Sequence, residues 1–141
     1  DLYSGIGTIS LFLSKKAKKI IGIETVEDAV QAAKSNSKLN NISNCKFVHG
    51  DVKNIIAKPI KGIKKPDIII VDPPRNGLEK SVIKSIIDLS PYKIIYVSCN
   101  SSTQARDIYE LRDFYKVKIT QAIDMFPQTY HVENVVLLEK I

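Results

Sequence analysis

The segment Pro66-Asp-Ile-Ile-Ile-Val-Asp72 constrains the fold more than any other. Ile68 to Val71 offers no polar face, as a central strand of a parallel sheet requires; a strand with one solvated face would alternate. The run stops at Asp72-Pro73-Pro74-Arg75-Asn76-Gly77. Two prolines at a strand end make a rigid exit, and they hold Asp72 at the strand's carboxyl end. In open α/β sheets that edge is where ligands gather.

The remaining segments alternate accordingly. Asp1-Leu-Tyr-Ser-Gly5-Ile-Gly7-Thr8 reads as a strand tail entering a glycine turn, followed by a helix with apolar Ile9, Leu11, Phe12 and Leu13. Glycines let a ligand approach the backbone, and a helix amino terminus favours an anionic group. Lys19 to Glu24 is a second strand ending in an acid, 17 residues past Gly7. That spacing is close to the one at which a carboxylate meets ribose hydroxyls in dinucleotide folds. Position 10 is Ser, so the third glycine of a nicotinamide fingerprint is missing.

Glu27 to Leu39 is an amphipathic helix with Val26, Ala29, Val30 and Ala33 on one face. After the loop Asn40 to Asn44, Cys45 to Asp51 forms a third strand and turn. The stretch from Lys58 to Lys65 is a basic loop broken by Pro and Gly, read as solvated. A helix from Glu79 to Leu89, a strand from Lys93 to Val97 and a helix from Thr103 to Asp113 follow. Lys116 to Asp124 and His131 to Glu139 read as two closing strands. The predicted fold is α/β: a mostly parallel twisted sheet with helices on both faces and a carboxyl-terminal antiparallel hairpin at its edge.

Within that frame Cys99 stands out. It follows a buried strand directly and precedes a helix amino terminus, a setting that favours a thiolate. The alternative is a small buried hydrophobe, since free cysteines are among the most buried residues. Cys45 and His49 have no further ligands at metal spacing, so both read as structural and no metal is expected.

Bulk properties set the boundaries. The 141 residues suffice for one domain with a sizeable core. No apolar run approaches the roughly 20 residues of a membrane span, and no signal peptide is evident. Two distant cysteines suit a reducing cytoplasm. The net charge of +6 admits a nucleic-acid partner without requiring one, since scattered lysines need none. The chain opens inside a motif and its only methionine is Met125, so it reads as an excerpt of a longer protein.

Taken together, the motifs resemble S-adenosylmethionine-dependent methyltransferases, and more narrowly the RNA uracil-5-methyltransferases of tRNA and 23S rRNA. The matching residues are D-L-Y-S-G-I-G at Asp1 to Gly7, G-I-E at Gly22 to Glu24 and D-P-P-R-x-G-L at Asp72 to Leu78. They continue with V-S-C-N at Val97 to Asn100, A-R-D at Ala105 to Asp107 and D-M-F-P-Q-T-x-H-V-E at Asp124 to Glu133. Ser4 departs from the family's usual Cys, and Ser101 from its Pro. The family's upstream RNA-binding module, its frequent iron–sulfur cysteines and a Gln-containing cofactor motif are not in this sequence.

The resemblance implies a Rossmann-like class I methyltransferase domain over residues 1–141, with S-adenosylmethionine as cofactor and RNA as partner. The closing motif leans toward rRNA over tRNA. Cofactor contacts would fall to Tyr3, Gly5, Gly7, Glu24, Asp51 and Asp72. Cys99 would be the nucleophile and Glu133 the base, with Asp72 beside cofactor and target uracil and Arg106 and His131 in support. The chemistry independently calls for these residue types. Uracil C5 is a weak nucleophile until a thiolate adds at C6, and the C5 proton then needs a positioned base.

Two other readings compete. Amino-methyltransferases acting on adenine or guanine share an acid-Pro-Pro turn, but usually follow it with an aromatic where this chain has Arg75, and they need no cysteine. A non-catalytic cofactor- or RNA-binding fragment is the other alternative.

Overall fold

The computed structural model describes residues 1–58 and 65–141; most of the basic loop predicted from Lys58 to Lys65 lies outside them. The chain divides into two compact units, residues 1–58 and residues 59–141.

In the first unit, helix α1 (Thr8–Leu13) runs into a 3-10 turn and is followed by strand β1 (Ile20–Glu24) and helix α2 (Glu27–Leu39). Strand β2 (Cys45–His49) and the short helix α3 (Val52–Ile56) complete it. β1 and β2 pair in parallel from Ile20 opposite Cys45 to Glu24 opposite His49, and Leu2 bridges Ile23, also in parallel. Glu27 and Asp28 occupy the first turn of α2 and Lys38 the last, complementing the helix dipole. Val30 and Ala33 pack on Phe47 in a small core joined by Leu11 and Cys45. Val26 is instead the extended residue preceding α2, and it and Phe12 of α1 are exposed. α3 is absent from the sequence-based expectation. Five residues are too few to display a helical period, and its one clear signal is Asp51 as N-cap.

The second unit holds strand β3 (Ile68–Val71), helix α4 (Lys80–Leu89), strand β4 (Lys93–Ser98) and helix α5 (Ser101–Leu111). Strands β5 (Tyr115–Ile123) and β6 (Glu133–Lys140) close it. Sheet order is β3-β4-β6-β5, with β3 and β4 parallel and β6 antiparallel to both β4 and β5. The predicted closing hairpin is therefore present, and its second strand is the one inserted beside β4. β3 ends this sheet among the described residues, and its first residue, Ile68, is exposed. Along β4, Ile94, Tyr96 and Ser98 are buried, and the strand's register against β6 runs from Lys93 opposite Glu139 to Ser98 opposite Asn134.

This arrangement fixes the functional edge of the second unit. β3 and β4 are parallel, so Asp72 and Cys99 leave the same end of the sheet. β6 runs the other way, so its first residue, Glu133, starts there.

Candidate active site

In the first unit the glycine turn and the end of β1 are built around one carboxylate. Gly5 donates its backbone N–H to Glu24 Oε2 at 2.9 Å, while Thr25 and Val26 donate theirs to Oε1 at 2.7 and 2.9 Å. Three backbone donors thereby fix the direction of a side chain that would otherwise swing through solvent. Gly7 has φ +85°, and a Cβ there would come within 2.8 Å of the Phe47 ring. At Gly5 (φ +52°) a Cβ would meet nothing within 4 Å, so the turn beside Glu24 faces open space. Tyr3 also adopts a left-handed backbone at the start of the turn. Asp51, after β2, accepts from Lys53 N at 3.0 Å and caps α3, with its other oxygen 3.5 Å from Lys53 Nζ. Ser4 Oγ and Asp1 Oδ1 are buried in this segment without a hydrogen-bond partner among the described residues.

In the second unit three loop ends meet. Cys99 is a free, half-buried thiol between β4 and α5. Asn100 follows it and caps α5, accepting from Ser102 N at 3.1 Å and Thr103 N at 3.5 Å. Ser98 Oγ accepts from Asn100 N at 3.0 Å, which tightens the chain on both sides of the thiol. Carried one residue beyond Ser98 and Asn134, the β4–β6 register sets Cys99 abreast of Glu133. Burial first, and then the like charge of Glu133, hold the Asp72 carboxyl above the ordinary aspartate range.

Arg75 joins the three loops. Its carbonyl oxygen accepts from Asn100 Nδ2 and from Thr103 Oγ1, each at 3.1 Å, which ties the Asp-Pro-Pro-Arg turn to the start of α5. Its guanidinium Nη2 lies 3.0 Å from His131 Nε2. A guanidinium only donates, so Nε2 accepts this bond and the imidazole carries its proton on Nδ1.

A buried acid braces the arrangement from beneath. Asp107, fully buried on α5, accepts from Leu78 N at 2.7 Å, Tyr96 Oη at 2.6 Å and Arg106 Nη2 at 2.7 Å. Arg106 Nη2 also donates to Asn76 O at 2.9 Å. Gly77 (φ +76°) passes so close that a Cβ would sit 2.5 Å from Asp107 Oδ2. Gln104 and Asn134 add a reciprocal clasp, Gln104 Nε2 to Asn134 O at 3.1 Å and Asn134 Nδ2 to Gln104 Oε1 at 2.6 Å. The strand that carries Glu133 is thus fastened to the helix that follows Cys99.

Comparison with known proteins gives the family and the fold. The family model for tRNA (uracil-5-)-methyltransferases matches residues 1–141. The chain belongs to that family. An uncharacterized RNA methyltransferase of Caldanaerobacter subterraneus is 50% identical over 142 residues, covering 100% of this chain and 31% of that protein. Another from Clostridium acetobutylicum is 52% identical over 141 residues, covering 99% and 30%. The chain thus spans about a third of the length of these curated relatives. Among solved structures, the Pyrococcus abyssi tRNA (uracil-54, C5)-methyltransferase in complex with S-adenosyl-L-homocysteine superposes with a TM-score of 0.86 at 37% identity, over 98% of this chain and 33% of that one. An rRNA methylase from Streptococcus thermophilus, at 16% identity and a TM-score of 0.75 over 99% of this chain and 84% of that one, shares the fold. The Rossmann-like methyltransferase fold read from the sequence is the one found.

Against the uracil-5-methyltransferase motifs, the structure brings Asp72, Cys99, His131 and Glu133 to one sheet end of the second unit. In the first unit it gathers Tyr3, Gly5, Gly7 and Glu24 at one turn, with Asp51 after β2. Arg106 acts on Asp107 and the Asn76 carbonyl, behind the turn that carries Arg75. Cys45 Sγ lies 3.5 Å from Ser10 O, and burial pushes its thiol above the ordinary range. His49 Nε2 meets Thr25 O at 3.1 Å, a structural bond. Among the described residues no group of three or more His, Cys, Asp or Glu side chains is placed to hold a metal ion, and no helix is long and apolar enough to cross a membrane. Sequence reading missed the joining role of Arg75 and the bracing role of Asp107. Both lie inside matched motifs, but their partners are 56 and 29 residues away.

Proposed function

We propose that this chain is the catalytic domain, residues 1–141, of an enzyme that transfers a methyl group from S-adenosylmethionine to C5 of a uridine in RNA. The observation that carries this reading is that Cys99, Glu133 and Asp72 all lie at one end of the same sheet. A thiol abreast of a carboxylate suits an addition–elimination at a pyrimidine C5–C6 bond, and an amino-methyltransferase has no use for that pairing.

The residues of the first unit fit the cofactor. The open space at Gly5 leaves room for a ligand against the backbone, and Glu24 is oriented by three backbone donors while a carboxylate offers about four acceptor sites. Tyr3, Gly5 and Gly7 take the methionine part, Glu24 the ribose hydroxyls and Asp51 the adenine side. The bound cofactor supplies an electrophilic methyl group. On the protein side, Cys99 thiolate forms a bond to C6 of the uracil, which raises electron density at C5 for the new C–C bond. Glu133 then removes the C5 proton, the C5–C6 double bond re-forms and the Cys99–C6 bond breaks, returning the thiolate. Arg75, through its carbonyl, holds the capping segment after Cys99, and through its guanidinium it orients His131.

The target base must leave its stack to reach such a site. The D-M-F-P-Q-T-x-H-V-E ending favours a uridine of rRNA. tRNA is the competing class, as in the name of the Pyrococcus protein. Mapping 5-methyluridine in rRNA and tRNA from cells lacking the full-length gene separates the two.

The decisive experiment uses full-length protein, cofactor and RNA carrying 5-fluorouracil. Fluorine cannot leave as a proton does, so a denaturant-resistant adduct forms. Cys99→Ala abolishes it and Cys45→Ala leaves it intact. An adduct that persists in Cys99→Ala, or none with the unaltered protein, overturns the reading.

A further inference from the structure

Resting on that reading, we infer that Tyr130 is a stacking platform for a nucleotide next to the target uridine, held in place by His131 and Arg75. Withdrawing a base from an RNA stack leaves the face of its neighbour uncovered, and proteins that handle single-stranded segments cover such faces with aromatic rings. Tyr130 is 88% exposed, more than any other large apolar side chain among the described residues. Exposure alone identifies no partner. Three further observations do.

First, the ring is held in place. Its centroid lies 4.1 Å from that of His131 at a 47° tilt, and His131 Nε2 accepts from Arg75 Nη2 at 3.0 Å. The turn beneath is closed by Thr129 N and Thr129 Oγ1 donating to Phe126 O at 2.8 and 2.9 Å, and by His131 N donating to Thr129 Oγ1 at 3.2 Å. A ring fixed before binding loses little freedom when a base lies on it.

Second, the location is right. Tyr130 stands three residues before Glu133, in the loop that Arg75 fastens to the turn following Asp72. A nucleotide stacked there borders the proposed reaction centre without occupying it.

Third, the surroundings are those of a nucleotide site. The Arg75 guanidinium reaches the ring that Tyr130 contacts, and it suits a phosphate oxygen as well as His131. Tyr130 carries no group the reaction consumes, so its role is recognition of the RNA around the uridine.

The test uses full-length protein and the RNA stem-loop whose 5-methyluridine disappears when the gene is deleted. Dissociation constants are measured for that stem-loop and for versions with an abasic nucleotide on either side of the uridine. Loss of one aromatic–base stack weakens binding by ~10-fold. Tyr130→Ala should show that loss on the intact RNA, and Tyr130→Phe should not. One abasic position should weaken the unaltered protein similarly, and combining it with Tyr130→Ala should add nothing. Unchanged affinity in Tyr130→Ala overturns the inference, as does additivity with both abasic positions. A lower melting temperature with RNA affinity intact overturns it too, and shows that another part of the protein covers the ring. The adduct with 5-fluorouracil RNA keeps the two claims apart. If it forms while the cycle is additive, only the platform fails; if neither adduct nor gene-dependent 5-methyluridine is found, the enzymatic reading fails and the platform with it.

Discussion

Glu24 and Asp72 both end a strand, and they are treated in opposite ways. Glu24 is surrounded by three backbone N–H groups that satisfy its charge and fix its direction. Asp72 is pressed by burial and by the neighbouring charge of Glu133, so its carboxyl is held above its ordinary range. A satisfied carboxylate suits a ligand that must be bound the same way in every cycle. Two carboxylates set against each other suit a place where protons move. On the proposed function, the first unit holds the cofactor and the second carries the reaction.

The contrast breaks most visibly at Glu133. Glu133→Gln keeps the shape but cannot accept a proton at neutral pH. Full-length mutant should transfer about one methyl per enzyme and then stall as a covalent complex with ordinary RNA, with turnover down roughly 10²–10⁴-fold. A denaturing gel reads the complex. Normal turnover would reduce Glu133 to a charged residue opening a strand, and loss of methyl transfer itself would make it a placing residue.

At Glu24 the expected loss is in binding. Glu24→Ala removes the ribose acceptor and releases the Gly5 turn, costing about 2–4 kcal/mol in S-adenosylhomocysteine affinity by calorimetry. Equal affinity for NAD and S-adenosylhomocysteine would sink the cofactor assignment.

Asp72 sharpens the comparison through pH. An acid whose folded pKa is raised binds its proton more tightly when folded, so stability falls as pH rises from the unfolded value of 3.8 through the folded one. Asp72→Asn should therefore raise the melting temperature at pH 7 and have little effect below pH 3.8, while abolishing methylation. A lower melting temperature at pH 7 would contradict a carboxyl held above its ordinary range.

The smallest effect is expected at Ser4, whose buried hydroxyl, like Asp1 Oδ1 in the same segment, has no partner among the described residues. Ser4→Cys, which restores the family's usual residue, should stabilise by about 1 kcal/mol in denaturant melts. Destabilisation would mean that the hydroxyl has a partner in solution.

Much of this was legible in the sequence because the signals are local. α2 runs from Glu27 to Leu39, the bounds read from its apolar spacing, although Val26, placed on that face, precedes the helix and is exposed. The unbroken Ile68–Val71 run gave a parallel strand, and its prolines marked where it ends. What could not be read was pairing at a distance. Nothing in the order of the last two strands says that β6, not β5, lies beside β4, yet that choice sets Glu133 abreast of Cys99. The Arg75–His131 bond and the donors converging on Asp107 were hidden for the same reason. α3 was hidden by its brevity, and the structure shows Asp51, expected as a cofactor contact, as its cap.

One irregularity in β5 has a consequence for solubility. Among the described residues that strand ends its sheet, with Val117, Ile119 and Ile123 exposed, the kind of edge that invites another strand to add to it. Its register jumps between Val117 and Ile119, leaving Lys118 as the extra residue, with its ammonium 3.6 Å from Glu139. A bulge that carries a lysine twists the rim and spoils the even row of donors and acceptors an incoming strand would need. A copy of the same chain therefore finds no straight template there, and the apolar rim can remain exposed without seeding aggregation.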